Sequence, residues 1–317
     1  MVWGSGQIWT FVLDARGDAY RFQNPATAAA TGSDSYLQRG TAYGALDWRW
    51  PFVAQGGGGR SYVVEPIAQV IAQPYGGNPA GLRIEDASDF EFNDTNVFSF
   101  NQVPGYDLIE SGPRANVGAR AEAFFPGGSL EGQVGQTYRA KPDPKFAAFS
   151  GNSGSSSDLV GSVSVKFPHL DVTDRIDVDR GNGSVRRHEV YVTSSFDRTS
   201  VQVSYVQLPT SVLTLGLPSR QEINTQMDLN IWRNWQVFVA GQRDLDAGQF
   251  LNTEFGLGYE DECLAISLAY RRKYTEDLIL GVPPSTSVIL RFSLKTGDQA
   301  IAPFSLFPKD VFALTHP

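Results

Sequence analysis

The sequence is poor in cysteine, and Cys263 is its only one. A lone thiol excludes an internal disulfide framework and a four-cysteine zinc site. Long apolar runs are also absent, and none approaches the roughly 18 residues that a membrane-spanning helix needs. The start, MVWGSGQIWTFVLDARGDAY, lacks the charged and apolar regions of an export signal. These absences exclude a disulfide scaffold and a helical membrane protein, and they predict no export signal in the chain as written.

Positive charge and catalytic motifs are scarce as well. Acidic residues outnumber basic ones, 34 to 26, which gives a net charge of -8 and no basic footprint for nucleic acid. The sequence contains no G-x-S-x-G, no H-E-x-x-H and no P-loop. The spacing of His169, His188 and His316 suggests no metal site. We therefore expect a protein that is not an enzyme and that has no catalytic residues, no metal and no cofactor.

What the chain does contain is alternation of apolar and polar residues with a period of two. In GALDWRWPF, Leu46, Trp48 and Trp50 alternate with Asp47 and Arg49, which is typical of a strand with one apolar face. Similar segments recur throughout the chain and predict an all-β fold of about fourteen strands. The predicted strands are 6–22, 42–53, 62–74, 114–125, 129–139, 158–167, 170–179, 186–196, 200–208, 220–232, 235–244, 249–260, 263–273 and 286–295.

The connections between these segments alternate between long and short along the chain. In an up-and-down antiparallel sheet, alternate connections lie at opposite ends, so the two ends face different surroundings. Short periplasmic turns and long extracellular loops are typical of a transmembrane β-barrel. A soluble sandwich or propeller also alternates apolar with polar residues and stays open as an alternative. Several apolar stripes end in aromatic residues, as an interfacial girdle requires, which favours the barrel.

Two features would follow from a barrel. Arg114, Asn116, Arg120 and Glu122 share the polar face of one predicted strand, so we expect them to line a lumen. The longest connection, 75–113, contains SDFEFNDTNVFSFNQVPGYD, whose phenylalanines alternate with polar groups. We expect this stretch to fold over the barrel mouth with its aromatic rings packed. The acidic cluster Glu85, Asp86, Asp89, Glu91 and Asp94 is a weaker candidate, for a cation site.

Two segments resemble a known family. EDASDFEFNDTNVFSFNQVPGYDLIESGPRANVGAR and YEDECLAISLAYRRKYTEDLILGVPPSTSVILRFSLKTGD are similar to the C-terminal barrel of the lipopolysaccharide (LPS) assembly outer-membrane proteins, the LptD/OstA family. The shared loop motif is an acidic and phenylalanine-rich stretch followed by N-x-x-x-G-[YL]-D. Asn101, Gly105 and Asp107 hold its positions here. The resemblance covers about residues 7 to 298.

The resemblance implies a function without covalent chemistry. Members of this family insert LPS into the outer leaflet through a polar lumen and a lateral seam. They have a barrel of about twenty-six strands, of which this chain would supply about fourteen. The expected partners are LPS, an LptE-type plug lipoprotein and, through an N-terminal domain absent here, a periplasmic LPS-bridge protein. The expected location is the bacterial outer membrane.

The resemblance also divides the chain. It implies that 1–298 is the C-terminal part of the barrel and that 299–317 is a tail. Family members carry a cysteine pair near the end that is oxidised to cysteines of the periplasmic domain, and Cys263 holds one of those positions. The resemblance therefore implies a disulfide from Cys263 to the missing domain. A passive porin-like channel is the alternative function, and a soluble carbohydrate-binding β-protein is a third.

Overall fold

A computed structural model of the protein describes residues 4–23, 34–79, 82, 91–103, 105–143, 146, 150–208, 220–276 and 283–294. Within these ranges the chain is all-β, with fifteen strands and no helix. No helix of the described part is long and apolar enough to cross a membrane. The strands are β1 (Ile8–Gln23), β2 (Asp34–Arg49), β3 (Phe52–Gly56), β4 (Arg60–Ala72), β5 (Arg114–Phe125), β6 (Gly128–Arg139), β7 (Leu159–Phe167), β8 (Leu170–Val178), β9 (Val185–Phe196), β10 (Thr199–Leu208), β11 (Arg220–Trp232), β12 (Trp235–Asp244), β13 (Gln249–Glu260), β14 (Leu264–Lys273) and β15 (Ser285–Leu294).

The strands follow one another in a single antiparallel sheet. Apart from β3, each strand lies beside its neighbours in sequence, in the order β1, β2, β4 and so on to β15. This confirms the predicted all-β, up-and-down antiparallel architecture. Membership of a barrel of about twenty-six strands stays a prediction.

One predicted strand is wrong in detail. The segment 42–53 is interrupted, and its two parts, β2 and β3, both pair with β4. The break falls at Pro51, which has no N–H to give to a sheet ladder. The backbone at the break still bonds to β4, because the Trp50 N–H donates to Pro66 O at 3.2 Å. The structure also starts β2 at Asp34, eight residues earlier than the alternation indicated.

The connections alternate in length as predicted. Two- or three-residue turns join β3 to β4, β5 to β6, β7 to β8, β9 to β10, β11 to β12 and β13 to β14. Apart from the break at 50–51, the other connections are longer, and the longest runs from 73 to 113. One end of the sheet therefore carries tight turns and the other carries loops.

By compactness the chain divides into two units. The first is Met1–Val163 with Arg175–Arg186, and the second is Ser164–Asp174 with Arg187–Pro317. In the first unit, one buried apolar cluster lies where the long connection meets β7, and a second joins that connection to Phe146 of the connection between β6 and β7. In the second unit, the apolar cluster is small and consists of Phe238, Ala240 and Ala269, with Ile289 against it.

In both units one face of the sheet is apolar and exposed. In β15, for example, Val288, Leu290 and Phe292 are 71%, 70% and 63% exposed. Such a face is far larger than a protein in water normally exposes. Near the short turns many of the exposed side chains are aromatic: Phe52, Phe124, Phe167, Phe196, Trp232 and Trp235. A band of apolar residues edged by aromatic residues is typical of strands that cross a lipid bilayer.

Candidate functional site

Part of the longest connection folds onto the polar face of the first unit. We call residues 91–103 and 105–112 the docked loop. It begins with a turn made by its own side chains, because Asn93 Oδ1 accepts from the Thr95 N–H at 2.9 Å and Asn96 Nδ2 donates to Glu91 O at 2.6 Å. Asparagine favours such turns because its side chain bonds the nearby backbone.

Apolar side chains anchor the first part of the docked loop. Phe92 is 2% exposed and Val97 is fully buried, and both pack with Val160 of β7. Phe98 lies against the same cluster, and the rings of Phe100 and Tyr43 have centroids 6.5 Å apart. Phe90 lies outside the described residues. The expectation of packed aromatic rings holds for the three phenylalanines that the structure describes, and it is wrong for Tyr106, which is 72% exposed.

Two strand glycines make room for this anchor. A Cβ on Gly135 of β6 would come within 2.8 Å of Val97 Cγ2 and 3.0 Å of Phe98 Cζ. A Cβ on Gly118 of β5 would lie 2.7 Å from the same Phe98 atom and 2.0 Å from Val134 O. Glycine within a strand often marks a site where another segment approaches closely. These two positions therefore fit the sheet to the loop.

Gln102 joins the docked loop to the sheet. Its Nε2 donates to Thr137 Oγ1 of β6 at 2.8 Å, and its Oε1 accepts from Arg139 Nη2 at 3.1 Å and Asn152 Nδ2 at 3.0 Å. Its backbone N–H donates to Glu110 Oε2 at 2.8 Å. Gln102 is 2% exposed, so each of these bonds satisfies a polar group that water does not reach.

Glu110 is the charged centre of the network. Its carboxylate lies 2.9 Å from Arg114 Nη2 and 2.5 Å from Arg139 Nη2, and all three side chains are at most 1% exposed. Arg114 also bonds to the backbone of the docked loop, because its Nη2 donates to Ser99 O at 3.2 Å. One buried carboxylate between two guanidinium groups ties the loop to β5 and β6.

Beneath the loop, polar side chains continue across three more strands. Thr137 Oγ1 donates to Asn116 Oδ1 at 2.9 Å, and Asn116 Nδ2 donates to Gln69 Oε1 at 2.9 Å. Gln69 Nε2 then donates to Asp47 Oδ2 at 2.6 Å and to Phe98 O of the loop at 3.0 Å. A chain of hydrogen bonds therefore runs from β6 to β2, and the docked loop covers it.

The predicted lumen-facing residues fall on this polar face but differ in exposure. Arg114 is 3% exposed and Asn116 is fully buried, both under the docked loop. Arg120 and Glu122 are half-buried beyond it and form an ion pair of 2.8 Å, with Glu131 2.5 Å from the same guanidinium. The structure brings the first two into the network. That the four residues line a lumen stays a prediction.

The loop motif residues hold the backbone of the docked loop. Asn101 Nδ2 donates to Val103 O at 3.1 Å, and Gly105 has a φ of 75°, which glycine adopts without strain. The carbonyl of Asp107 accepts from Arg39 Nη1 of β2 at 2.5 Å. Arg39 also binds Asp18 of β1 at 2.6 Å, so the end of the loop is tied to the first two strands.

Three further predictions concern Cys263, the acidic stretch and the C-terminal tail. Cys263 is an exposed free thiol in the turn between β13 and β14, which is one of the short turns. Its disulfide to another domain stays a prediction. The acidic stretch lies partly outside the described residues, and no group of three or more possible metal-ligating His, Cys, Asp or Glu residues occurs within them. The tail 299–317 also lies outside the described residues.

A second charged cluster lies at the loop end of the first unit. Arg186 is 2.9 Å from Asp158, although the geometry is not that of a hydrogen bond, and its guanidinium also binds Asp179. Burial raises the pKa of the Asp158 carboxyl to about 6, and the nearby Asp179 charge adds to this against the opposing effect of Arg186. The hydrogen bond from Arg186 lowers the pKa of Asp179. The pKa of Asp158 is therefore raised above the ordinary value of an aspartate, and that of Asp179 is lowered below it.

The polar face of the second unit has no such cover within the described residues. Glu254 of β13 lies 2.5 Å from Arg271 of β14 and 3.4 Å from Arg291 of β15. The side chains of these arginines are 36% and 23% exposed, whereas Glu254 is 3% exposed. The second unit thus has the same grouping of one buried carboxylate and two arginines, but here the arginines are open to solvent.

Sequence reasoning did not find Gln102, Glu110, Arg139, Asn152 or Glu254. Gln102, Glu110, Arg139 and Asn152 come from loops and a strand that are far apart in sequence, and only the docking of the loop brings them together. In the second unit, strand register brings Glu254 to Arg271 and Arg291. The sequence does contain one indication of this site. Glu110 and Arg114 flank SGP immediately before β5, and opposite charges at this spacing indicate an ion pair at the start of the strand.

An up-and-down antiparallel sheet with one exposed apolar face edged by aromatic residues is typical of one class, the transmembrane β-barrel proteins. Comparison with known proteins gives the family. The family model of LptD, described as LPS transport system D, matches residues 1–235, which is most of the chain. The chain belongs to the LptD family.

The curated relatives match a shorter part of this chain than the family model does. The LPS-assembly proteins LptD of Psychrobacter arcticus and Psychrobacter cryohalolentis are each 28% identical over 116 residues, or 32% of this chain. The match covers 13% and 12% of those proteins. Among solved structures, a triple mutant of the Rhodopseudomonas blastica porin covers 89% of this chain and 98% of its own, with 10% identity and a TM-score of 0.32. Another mutant of that porin has 11% identity to this chain and a TM-score of 0.33.

Proposed function

We propose that this chain forms part of the wall of an outer-membrane barrel that delivers LPS to the outer leaflet. The observation that carries the proposal is the LptD family match over 1–235. The two faces of the sheet support it, because LPS is amphipathic. Its saccharide would move along the polar face, while the exposed apolar face would lie in the bilayer.

The finer parts of the proposal follow the family resemblance. The remaining strands of a barrel of about twenty-six, an LptE-type plug lipoprotein and a periplasmic LPS-bridge protein would come from outside this chain. β15, the last strand of the sheet order, would form one side of the lateral seam. The short turns would face the periplasm, where Cys263 could reach a cysteine of the periplasmic domain.

The docked loop would act as a cover on the polar face. It belongs to the longest connection and therefore to the loop end of the sheet, which would be extracellular. Its buried ion pairs and hydrogen bonds would keep that part of the face closed to water and ions. Its described residues carry no group arranged for catalysis, and the proposed role is structural.

Photo-cross-linking in living cells tests the proposal. A photo-reactive residue at Asp171, exposed on the polar face of β8, should capture LPS while LPS is being supplied. The same residue at Thr137, fully buried under the docked loop, is the matched control and should capture none. Absence of LPS adducts at Asp171, or adducts that persist after LPS supply stops, would contradict the proposal.

A passive channel is the second candidate. The docked loop favours it, because a segment folded onto the polar face is what a pore constriction requires. A channel would conduct ions in a planar bilayer and give no LPS adducts at Asp171. Adducts without conductance would leave LPS delivery as the function.

A further inference from the structure

The polar face of the second unit contains a concave pocket of about 310 Å³ at its loop end. That volume is at the lower end of the range of small-ligand sites. Three of its lining residues are cationic, Arg220, Arg271 and Lys273, and one is anionic, Glu254. The pocket therefore has an excess of positive charge in a chain whose net charge is -8.

Strand register builds the rim of this pocket. Asn224 of β11 pairs with Gln242 of β12, Gln242 with Asn252 of β13, and Asn252 with Lys273 of β14. Three amide side chains and one ammonium group thus lie in a row across four neighbouring strands. Asn252 Nδ2 donates to Gln242 Oε1 at 2.7 Å, which fixes the orientation of both amides.

Two irregular positions make the surface concave. Ala240 lies one step deeper than this row, between Gln226 and Glu254 in the register, and its small side chain leaves space above it. In β13 the register shifts at Leu251, which has no partner in β12 and lines the pocket beside Asn252. A β-bulge re-aims side chains in this way and often occurs beside binding sites.

The charged side chains of the pocket differ in their ion-pair partners. Glu254 is shared by Arg271 and Arg291, and Glu222 pairs with Arg220 and accepts from Gln242 Nε2 at 2.8 Å. Lys273 is half-buried and has no ion-pair partner among the described residues. An anion placed beside Lys273 would supply that partner.

We propose that this pocket binds a phosphorylated or otherwise anionic saccharide. Lys273 and Arg220 would hold the anionic group, and the row of amides would donate to and accept from the sugar hydroxyls. Assigning the sugar to LPS rests on the proposed function. The binding chemistry itself does not, because a free anionic oligosaccharide would make the same contacts.

The test is calorimetric titration of the whole chain in uncharged detergent. The probes are the phosphorylated core oligosaccharide released from LPS, the same oligosaccharide after dephosphorylation, and inorganic phosphate. The phosphorylated oligosaccharide should bind, and its Kd should rise about tenfold in Lys273→Gln, as loss of one charge-assisted hydrogen bond predicts. Arg272→Gln is the matched control, since Arg272 immediately precedes Lys273 in β14 and its side chain points to the other face.

The outcomes separate the alternatives. Equal binding of the dephosphorylated oligosaccharide, equal binding of inorganic phosphate alone, or equal Kd values in the two variants would overturn the proposal. Ala240→Leu, which fills the pocket without changing its charge, should also weaken binding, and unchanged affinity would count against the site. If no saccharide binds but LPS is captured at Asp171, the pocket proposal fails and the proposed function stands.

Discussion

Two carboxylates in this protein, Glu110 and Glu254, have nearly the same partners and quite different surroundings. Each lies between two arginines, at 2.9 and 2.5 Å for Glu110 and at 2.5 and 3.4 Å for Glu254. The docked loop covers the first group completely, whereas water reaches the arginines of the second. The polar face of the sheet therefore includes a closed region in the first unit and an open one in the second.

The difference shows what the docked loop contributes. In the closed region, charges are out of water and every lost partner leaves a buried charge unpaired. In the open region, water can replace a lost partner at little cost. We interpret the closed region as a structural cover and the open region as the surface on which a polar ligand can move.

The largest expected effect is that of Glu110→Gln. It removes the charge shared by Arg114 and Arg139 and should destabilise the docked loop by about 3–5 kcal/mol, as loss of a buried ion-pair partner does. Glu254→Gln is the matched control and should cost about 1 kcal/mol or less. Hydrogen exchange of the docked loop measures the first change. Equal effects of the two variants would remove the distinction between closed and open regions.

A smaller effect is expected from Gly135→Ala. The added Cβ would press on Val97 and Phe98, so we expect a loss of about 1–3 kcal/mol from overpacking. Gly132→Ala on the same strand has no heavy atom within 3.7 Å of the added Cβ and should be neutral or slightly stabilising. Thermal unfolding of both variants makes the comparison. A neutral Gly135→Ala would mean that the anchor of the loop is looser than the structure shows.

The smallest effect concerns pH. The pKa of Asp158 is raised from 3.8 to about 6, so the folded state holds this proton more tightly than the unfolded state. Its contribution to stability is therefore present below pH 3.8 and is lost as pH rises to about 6. Asp179, whose pKa is lowered, contributes stability above its ordinary value that is lost as pH falls.

Asp158→Asn isolates the contribution of this carboxyl. The variant should gain stability relative to the unmodified protein between pH 4.5 and 7, because it never carries the buried charge. Thermal unfolding of both proteins across that range checks the prediction. A constant difference at all pH values would show that the carboxyl does not titrate there.

Much of the fold could be predicted from the sequence. Each strand has one apolar face and one polar face, so apolar and polar residues alternate along it and mark its extent. β5, β11, β12 and β13 have the predicted bounds for that reason. The break at Pro51 and the early start of β2 were missed, since backbone hydrogen bonding rather than side-chain polarity decides them.

The candidate sites could be predicted only in part. Arg114 and Asn116 were assigned to the polar face from alternation alone. Their burial depends on a loop that packs against Gly135 and is bonded to the sheet through Gln102 and Glu110. The pocket of the second unit depends on register across four strands, which no single segment of sequence records.

The account depends above all on the exposed apolar face lying in lipid. Nitroxide labels placed one at a time along β14, in a Cys263→Ser background and in lipid bilayers, test this directly. Labels at Leu264, Ile266 and Leu268 should be accessible to oxygen, and labels at Arg271 and Lys273 to a water-soluble nickel complex. Loss of this alternation, or nickel access at Leu268, would contradict the account.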